Sequence, residues 1–334
     1  MYKEIAQWAP LGRSVSIWGM SDMSVWLYEE PELKNPTMIC GWAGIGNVGL
    51  VAVSTLQRLV RARELGEIEP YEYFEPSKTV IRNGLIRQMR FPTTKFYVAP
   101  RGKTAQPAAY GTGVSSDVLL LVGEQQPADE QNAYDMASAV LDVAERFGCR
   151  RIYTTAASVT TIHHTAKPRV WVVPNTPALL SEVRQYGNTV LMSEVDDTDG
   201  EGLISGLNGV LLGVARNRQI DAVCLMGEVP YYLQGAPWPY PKASISVLEV
   251  LGRILNVQLD LSDLREMARK LEGNIEQVLD ALANTEELPE QVRVEMEKLR
   301  QGRHADLGPI TDVEKKEILE HIDELFKGET DNQS

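Results

Sequence analysis

The 334-residue sequence contains only three cysteines, Cys40, Cys149 and Cys224, which lie far apart without a C-x-x-C spacing. This pattern argues against a disulfide framework and favours buried thiols in a reducing compartment. No stretch approaches the roughly 20 apolar residues that a membrane-spanning helix needs. The amino terminus has no basic region followed by an apolar run, as a signal peptide would. We therefore expect a cytoplasmic protein without membrane partners.

Basic residues are also scarce. Lys and Arg number 33 against 46 Asp and Glu, which gives a formal net charge of -13. Nucleic-acid binding depends on clustered Lys and Arg that neutralise phosphates, so no nucleic-acid partner is expected. Hydrophobic residues make up 43% of the chain and charged residues 24%. These values are typical of a globular protein with one large core or with one core and an appendage.

Short apolar runs typical of buried strands alternate with segments of helical periodicity. This alternation predicts an α/β sandwich in which helices cover both faces of a mainly parallel sheet. The predicted strands are residues 37–40, 118–122, 151–155, 170–173 and 222–226, and the predicted helices are 48–60, 129–147, 203–215 and 243–255. Residues 79–98 alternate with a period of two around Asn83-Gly84, which predicts a β-hairpin or an antiparallel addition.

The composition changes near residue 260, where strand-like runs end and acidic residues outnumber basic ones by about two to one. We predict an α/β body over residues 1–260, an all-helical extension over 261–327 and a disordered tail over 328–334. Ser262 is the predicted cap of the first helix, Pro289 suits the start of a second, and Thr311 suits a third. The apolar stripes of these helices must be buried on the body or between subunits, so a homo-oligomer is expected.

Gly44-Ile45-Gly46-Asn47-Val48-Gly49 matches the G-x-G-x-x-G pattern between a predicted strand and a predicted helix. Such a turn can bind a nucleotide phosphate at the helix N-terminus, and Glu64 or Glu67 lies at about the distance of a ribose-binding acid. However, a hairpin-like segment follows, where a dinucleotide fold would place a second βα unit. We favour a glycine turn that permits tight strand–helix packing.

Glu124 and Glu228 each follow a predicted buried strand immediately after a glycine. Ligand crevices form at the carboxyl ends of parallel strands, so the two carboxylates with His163 or His164 could make an acid–base or nucleoside site. Equally, each carboxylate could accept backbone N–H bonds from a neighbouring loop. Asn208 could face the same crevice or cap a turn. The candidate ligand pocket comprises Gly44, Gly46, Asn47, Glu124, His163, His164, Asn208 and Glu228.

Signatures of catalysis are missing from the sequence. It has no G-x-S-x-G elbow, no phosphate loop of the G-x-x-x-x-G-K-[ST] type and no H-E-x-x-H. His163-His164 has no third histidine nearby, so a structural hydrogen bond is favoured over a metal or a general base. Cys149 follows Gly148 at a predicted helix end, where the dipole raises a thiol pKa. We therefore predict no catalytic residue, cofactor or metal.

Several motifs together resemble the proteasome assembly chaperone family, of the second-subunit type, over roughly residues 15 to 260. They occur in the family's order along the chain. The matching segments are Met38-Ile39-Cys40-Gly41-Trp42-Ala43-Gly44-Ile45-Gly46-Asn47-Val48-Gly49, Gly123-Glu124-Gln125-Gln126-Pro127, His163-His164-Thr165 with Pro168, Ile204-Ser205-Gly206-Leu207-Asn208-Gly209, and Glu228-Val229-Pro230-Tyr231-Tyr232 followed by Pro241-Lys242-Ala243.

This resemblance implies a phosphorylase/hydrolase-like α/β fold and a homo-oligomer with a helical C-terminal extension. It also implies a non-catalytic binding or assembly protein with a protein client. Members that dock on the proteasome core end in hydrophobic–Tyr–any, whereas this chain ends in Asp331-Asn332-Gln333-Ser334, so docking by that route is not expected. The alternative is an enzyme that acts on a nucleoside or small carboxylate at the strand-end crevice.

Overall fold

The structure is a computed structural model that describes residues 16–18, 25–99, 117–194 and 201–283. Its strands are β1 (Ser16–Trp18), β2 (Val25–Leu27), β3 (Thr37–Trp42), β4 (Arg63–Ile68), β5 (Lys78–Arg82), β6 (Leu85–Arg90), β7 (Thr94–Ala99), β8 (Val118–Gly123), β9 (Arg151–Thr160), β10 (Val170–Pro174), β11 (Thr189–Leu191) and β12 (Asp221–Pro230). Its helices are α1 (Val48–Leu59), α2 (Glu130–Arg146), α3 (Leu180–Val183), α4 (Gly206–Asn217), α5 (Pro241–Ile254) and α6 (Ser262–Ala283).

Ten of the described strands form one sheet in the order β1-β2-β4-β7-β8-β3-β9-β12-β10-β11. The four central strands, β8, β3, β9 and β12, run parallel to one another. Strands β7, β4, β2 and β1 add antiparallel on one side, and β10 adds antiparallel on the other. The predicted α/β sandwich with a mainly parallel centre is confirmed.

Helices cover both faces of the sheet. One apolar core lies between the sheet and helices α1, α5 and α6, and a second lies between the opposite face and helices α2 and α4. Strands β3 and β8 are buried almost throughout because helices lie above and below them. That double burial explains why their sequences are nearly continuous apolar runs.

Strands β9 and β12 are longer than their apolar runs predict. Their last five residues pair with each other, from Ala156 opposite Met226 to Thr160 opposite Pro230. This end of β9 and β12 extends past the carboxyl ends of β3 and β8, which stop at the level of Trp42 and Gly123. Glu228 was predicted to follow its strand and instead lies inside β12, because ladder bonds continue beyond the apolar run.

The predicted hairpin is confirmed as β5 and β6, which form a separate two-stranded sheet. Asn83 and Gly84 have φ values of 54° and 74° in the turn between them. Positive φ at both central residues is what a type I′ turn requires. The hairpin leaves the main sheet after Ile68 and returns at Thr94, so it emerges at the carboxyl edge of the central strands.

Helix α6 is the first helix of the predicted extension, and it packs on the body through Leu264, Ala268 and Ile275. Ser262 was predicted to cap this helix from the position before it. Instead, Ser262 is the first residue of α6, and its N–H donates to Oδ1 of Asp260 at 3.0 Å. The predicted starts at Pro289 and Thr311 and the tail lie outside the described residues. In the described ranges, no helix is both long and apolar enough to cross a bilayer.

Helix α1 approaches the sheet very closely. A Cβ at Gly49 would overlap the carbonyl oxygen of Thr155, and a Cβ at Gly41 would lie 2.5 Å from the Gly49 carbonyl oxygen. Both obstacles are backbone atoms, which cannot move aside as a side chain can. Gly41 and Gly49 therefore serve the tight strand–helix packing that was favoured over a nucleotide site from the sequence.

We predict that Gly49→Ala lowers the free energy of unfolding by about 1–3 kcal/mol, because the added methyl group overpacks the α1–β9 contact. Gly213→Ala in α4 is the matched control, since a Cβ there meets nothing within 4 Å. The control should stabilise by roughly 0.5–1 kcal/mol through helix propensity. Urea unfolding measures both values, and equal stability of the two variants would contradict the packing argument.

Candidate functional site

The glycine turn after β3 is closed by the start of α5. Gly46 has φ 54° and Asn47 has φ 47°, and the Asn47 N–H donates to the Gly44 carbonyl at 2.8 Å. The Tyr240 N–H donates to the Gly46 carbonyl at 2.7 Å, and a Cβ at Gly46 would lie 3.0 Å from the Tyr240 Cβ. The turn thus lies against Tyr240.

Gln126 joins this turn to the start of α4. Its Nε2 donates to the Ala43 carbonyl at 2.8 Å, and its Oε1 accepts from the Leu207 N–H at 2.9 Å. A Cβ at Gly206, which has φ 71°, would lie 2.6 Å from this oxygen. Gln126 was missed as a candidate, although it lies in the Gly-Glu-Gln-Gln-Pro motif. Asn208 follows on α4, and its buried Oδ1 has no hydrogen-bond partner among the described residues.

The Glu124 carboxylate turns towards β7. Its Oε2 accepts from the Thr93 N–H at 2.9 Å, and its own N–H donates to the Thr93 carbonyl at 2.9 Å. Glu124 is exposed to solvent. This arrangement is the loop-bonding alternative considered from the sequence.

The Glu228 carboxylate is fully buried, with 0% exposure, and is surrounded by donors. Its Oε2 accepts from the Arg169 N–H at 2.7 Å, and its Oε1 accepts from Arg169 Nη2 at 3.0 Å and Trp171 Nε1 at 3.1 Å. A buried charge is tolerated when it is paired and hydrogen-bonded in this way. Glu228 therefore holds the start of β10 against β12, as the loop-bonding alternative also predicts.

The structure does not bring the two carboxylates together. Glu124 turns outward to the β7 side of the four parallel strands, whereas Glu228 turns to the β10 side. A general acid and a general base must both reach the reacting group. This arrangement does not provide such a pair.

His164 is 2% exposed and contacts Tyr232. The Tyr232 hydroxyl accepts from the His164 N–H at 2.9 Å and lies 2.8 Å from Nδ1, to which it can donate its own proton. The neutral ring then carries its proton on Nε2, which lies 3.3 Å from Glu276 Oε1 of α6 without hydrogen-bond geometry. Burial lowers the pKa of His164, so the ring is neutral at pH 7.

His163 lies beside this ring, with 4.2 Å between the two ring centroids. Its Nδ1 lies 2.7 Å from Thr165 Oγ1. Burial, followed by the neighbouring His164, lowers the pKa of His163 as well. The structural hydrogen bonds favoured from the sequence are thus present for both histidines.

Lys242 completes what we call the His164 cluster, namely His163, His164, Tyr232, Lys242, Glu272 and Glu276. Its Nζ donates to the carbonyl oxygens of His164 at 2.7 Å and Thr165 at 2.8 Å, and also to Glu272 Oε2 of α6. Tyr240 adds a longer hydroxyl contact of 3.4 Å to the His164 carbonyl. The cluster therefore ties the loop after β9, the start of α5 and helix α6 together.

Among the described residues, no three His, Cys, Asp or Glu side chains are grouped to hold a metal ion. The three cysteines are free and buried, and burial raises the pKa of Cys149 and Cys224 to about 12. Burial also raises the pKa of Tyr232 and Tyr240, so neither hydroxyl ionises near pH 7. Gln126, Glu228 and Lys242 thus act as donors or acceptors within the fold.

We predict that Tyr232→Phe lowers the free energy of unfolding by about 1–3 kcal/mol, because the buried His164 N–H loses its acceptor. Tyr134→Phe removes a hydroxyl from a half-exposed tyrosine of α2 and is the matched control. We expect the control to change stability by less than about 0.5 kcal/mol. Urea unfolding at pH 7 gives both values. A Tyr232→Phe protein as stable as the control would show that the His164 cluster does not hold the fold.

Comparisons with known proteins agree with this architecture. The PAC2 family model matches residues 38–279, which include most of α6. The uncharacterized protein MJ1210 of Methanocaldococcus jannaschii is 25% identical over 255 residues, which cover 74% of this chain and 84% of that protein. Since MJ1210 is itself uncharacterized, this similarity indicates no function.

Two proteins of solved structure share this fold and have a described function. Pyrococcus furiosus PbaB, an archaeal proteasome activator, is 24% identical with a TM-score of 0.62. The match covers 78% of this chain and 99% of the PbaB chain. The Mycobacterium tuberculosis proteasome-assembly chaperone homologue Rv2125 is 21% identical with a TM-score of 0.58. That match covers 77% of this chain and 99% of the Rv2125 chain. These neighbours and the family match confirm the resemblance found in the motifs: the chain belongs to the PAC2 family.

Proposed function

We propose that this protein is a non-catalytic binding protein that associates with copies of itself and with a client protein. The observation that carries the proposal is that the side chains of Gln126, Glu228 and His164 at the carboxyl edge are hydrogen-bonded within the fold. Glu228 binds Arg169 and Trp171, His164 binds Tyr232, and Gln126 joins two backbone segments. Groups that hold the fold together are not available to bind and turn over a small substrate.

A proteasome subunit is the first client to test. PbaB is described as a proteasome activator and Rv2125 as a proteasome-assembly chaperone homologue, and membership of the same family supports a related client here. We place the protein in the cytoplasm, which the buried free thiols of Cys40, Cys149 and Cys224 support.

Helix α6 supports the self-association. Its Met267 and Val278 side chains are 52% and 46% exposed, although Leu264 and Ile275 of the same helix are buried on the body. Met267 and Val278 are eleven residues apart, which at 3.6 residues per turn places them on one face. An exposed apolar face on an amphipathic helix favours a contact between subunits.

We predict that light scattering on the full chain gives a mass of two or more chains of 37.2 kDa. Met267→Asp with Val278→Asp should shift the assembly towards the monomer, because the substitutions place charges in the contact. Arg269→Gln with Gly273→Asp makes the same change of charge at exposed positions on the opposite side of α6, where a Cβ at Gly273 meets nothing within 4 Å, and should leave the mass unchanged. A monomer at every protein concentration would contradict self-association, and an equal response of both double variants would exclude this face.

A ligand screen tests the non-catalytic part of the proposal. A protein that binds a nucleoside, a small carboxylate or a metal ion is stabilised in proportion to the logarithm of the free ligand concentration above Kd. We predict an unchanged melting temperature of the full chain across such a screen. A shift that grows with the concentration of one ligand, and that Glu228→Gln abolishes, would favour the enzyme alternative instead.

A further inference from the structure

The hairpin of β5 and β6, residues 78–90, forms an arm outside the main sheet. Its two strands pair only with each other in the part of the chain that the structure describes. A two-stranded hairpin without a covering layer is marginally stable in water. The arm therefore needs a partner surface.

The two faces of the arm differ. Residues paired across the strands share a face, so Ile81 with its partner Ile86 and Met89 with its partner Thr79 lie on one side. Ile81, Ile86 and Met89 are 64%, 73% and 56% exposed, which makes this side an uncovered apolar surface. The opposite side carries Lys78 and its partner Arg90, together with Arg82 and its partner Leu85, which is 61% exposed.

The charge of the arm indicates the chemistry of its partner. No acidic residue occurs between Glu75 and Asp117, whereas the arm carries Lys78, Arg82, Arg87 and Arg90 in a chain of net charge -13. No ion pair joins any of these four cations to a carboxylate of the described residues. The arm therefore suits a partner that is both apolar and acidic.

Residues 284–334 of the same sequence have this composition. They contain 14 Asp and Glu against 7 Lys and Arg. Their periodicity predicts helices with one apolar stripe, such as Ile318, Leu319, Ile322 and Leu325, beside carboxylates. The apolar stripe complements the apolar side of the arm, and the carboxylates complement its arginines.

The course of α6 brings this segment to the correct edge of the sheet. Leu264 near its start shares a groove with Arg63, the first residue of β4, at the amino edge. Glu276 near its end lies beside His164 at the carboxyl edge, from which the arm also emerges. In the order of the sheet, β12 is the fifth strand after β4, so the two strands are about 24 Å apart. A helix of about 16 residues spans that distance, and the segment has 51 residues.

We propose that the arm is the docking site of the acidic C-terminal segment, residues 284–334, of this protein. The apolar stripe of the segment covers Ile81, Ile86 and Met89, and the carboxylates that flank this stripe pair with Arg87 and, around the edges of the two-stranded arm, with Arg82 and Arg90. This inference is independent of the proposed self-association, because the segment can reach the arm of its own chain or that of a second copy.

Hydrogen exchange of the full chain tests the docking. Arg82→Glu, Arg87→Glu and Arg90→Glu together should make the amides of residues 284–334 exchange roughly tenfold faster, because the docked state is lost. Arg150→Glu, Arg216→Glu and Arg269→Glu reverse three exposed arginines elsewhere and should leave that exchange unchanged. Equal amide exchange in β3, β8 and β9 in all three proteins establishes that the variants are folded.

A reciprocal variant strengthens the test. Glu314→Lys, Glu317→Lys and Glu320→Lys should accelerate exchange in the arm, and their combination with the arm variant should restore protection in both segments. Two results would overturn the proposal. One is that residues 284–334 of the unsubstituted protein exchange as fast as an unstructured peptide. The other is that their protection is the same in the arm variant and in the control.

Discussion

Helix α1 lies closer to strands β3 and β9 than a side chain at Gly41 or Gly49 would allow. This contact fixes where the chain turns after β3, and therefore where Gly46 presents its carbonyl to Tyr240. Tyr240 and Lys242 then start α5 beside the loop that carries His164. A change of distance at the two glycines would thus alter the positions of α5, the His164 loop and α6 together.

A parallel sheet ordinarily leaves a crevice at its carboxyl edge, where ligands bind. Here the extended ends of β9 and β12 and the bonds of Gln126, Glu228 and His164 occupy that edge with the fold's own segments. The arm and α6 carry exposed apolar side chains, and Leu203 before α4 and Trp238 before α5 are exposed as well. These side chains lie outside the two cores and are therefore available for the protein contacts that we propose.

The sequence predicted the features that depend on local patterns. The strand–helix alternation, the type I′ turn at Asn83-Gly84 and the packing role of the glycines all follow from short-range periodicity or residue type. The partners of the candidate residues depend on long-range pairing. Glu228 meets Arg169, 59 residues away, only because β10 adds antiparallel beside β12, and Gln126 meets Leu207 across 81 residues. No local pattern reveals such contacts, and for the same reason the end of β12 was placed too early.

The central claim is that the carboxyl edge is closed by hydrogen bonds within the fold, and native-state hydrogen exchange tests it most directly. The amides of His164, Arg169, Leu207 and Tyr240 donate to Tyr232, Glu228, Gln126 and Gly46, respectively. The account predicts that these four amides exchange as slowly as the amides of the central strands, since they open only when the molecule unfolds. Fast exchange at these four positions in an otherwise protected protein would show an open crevice and contradict the account.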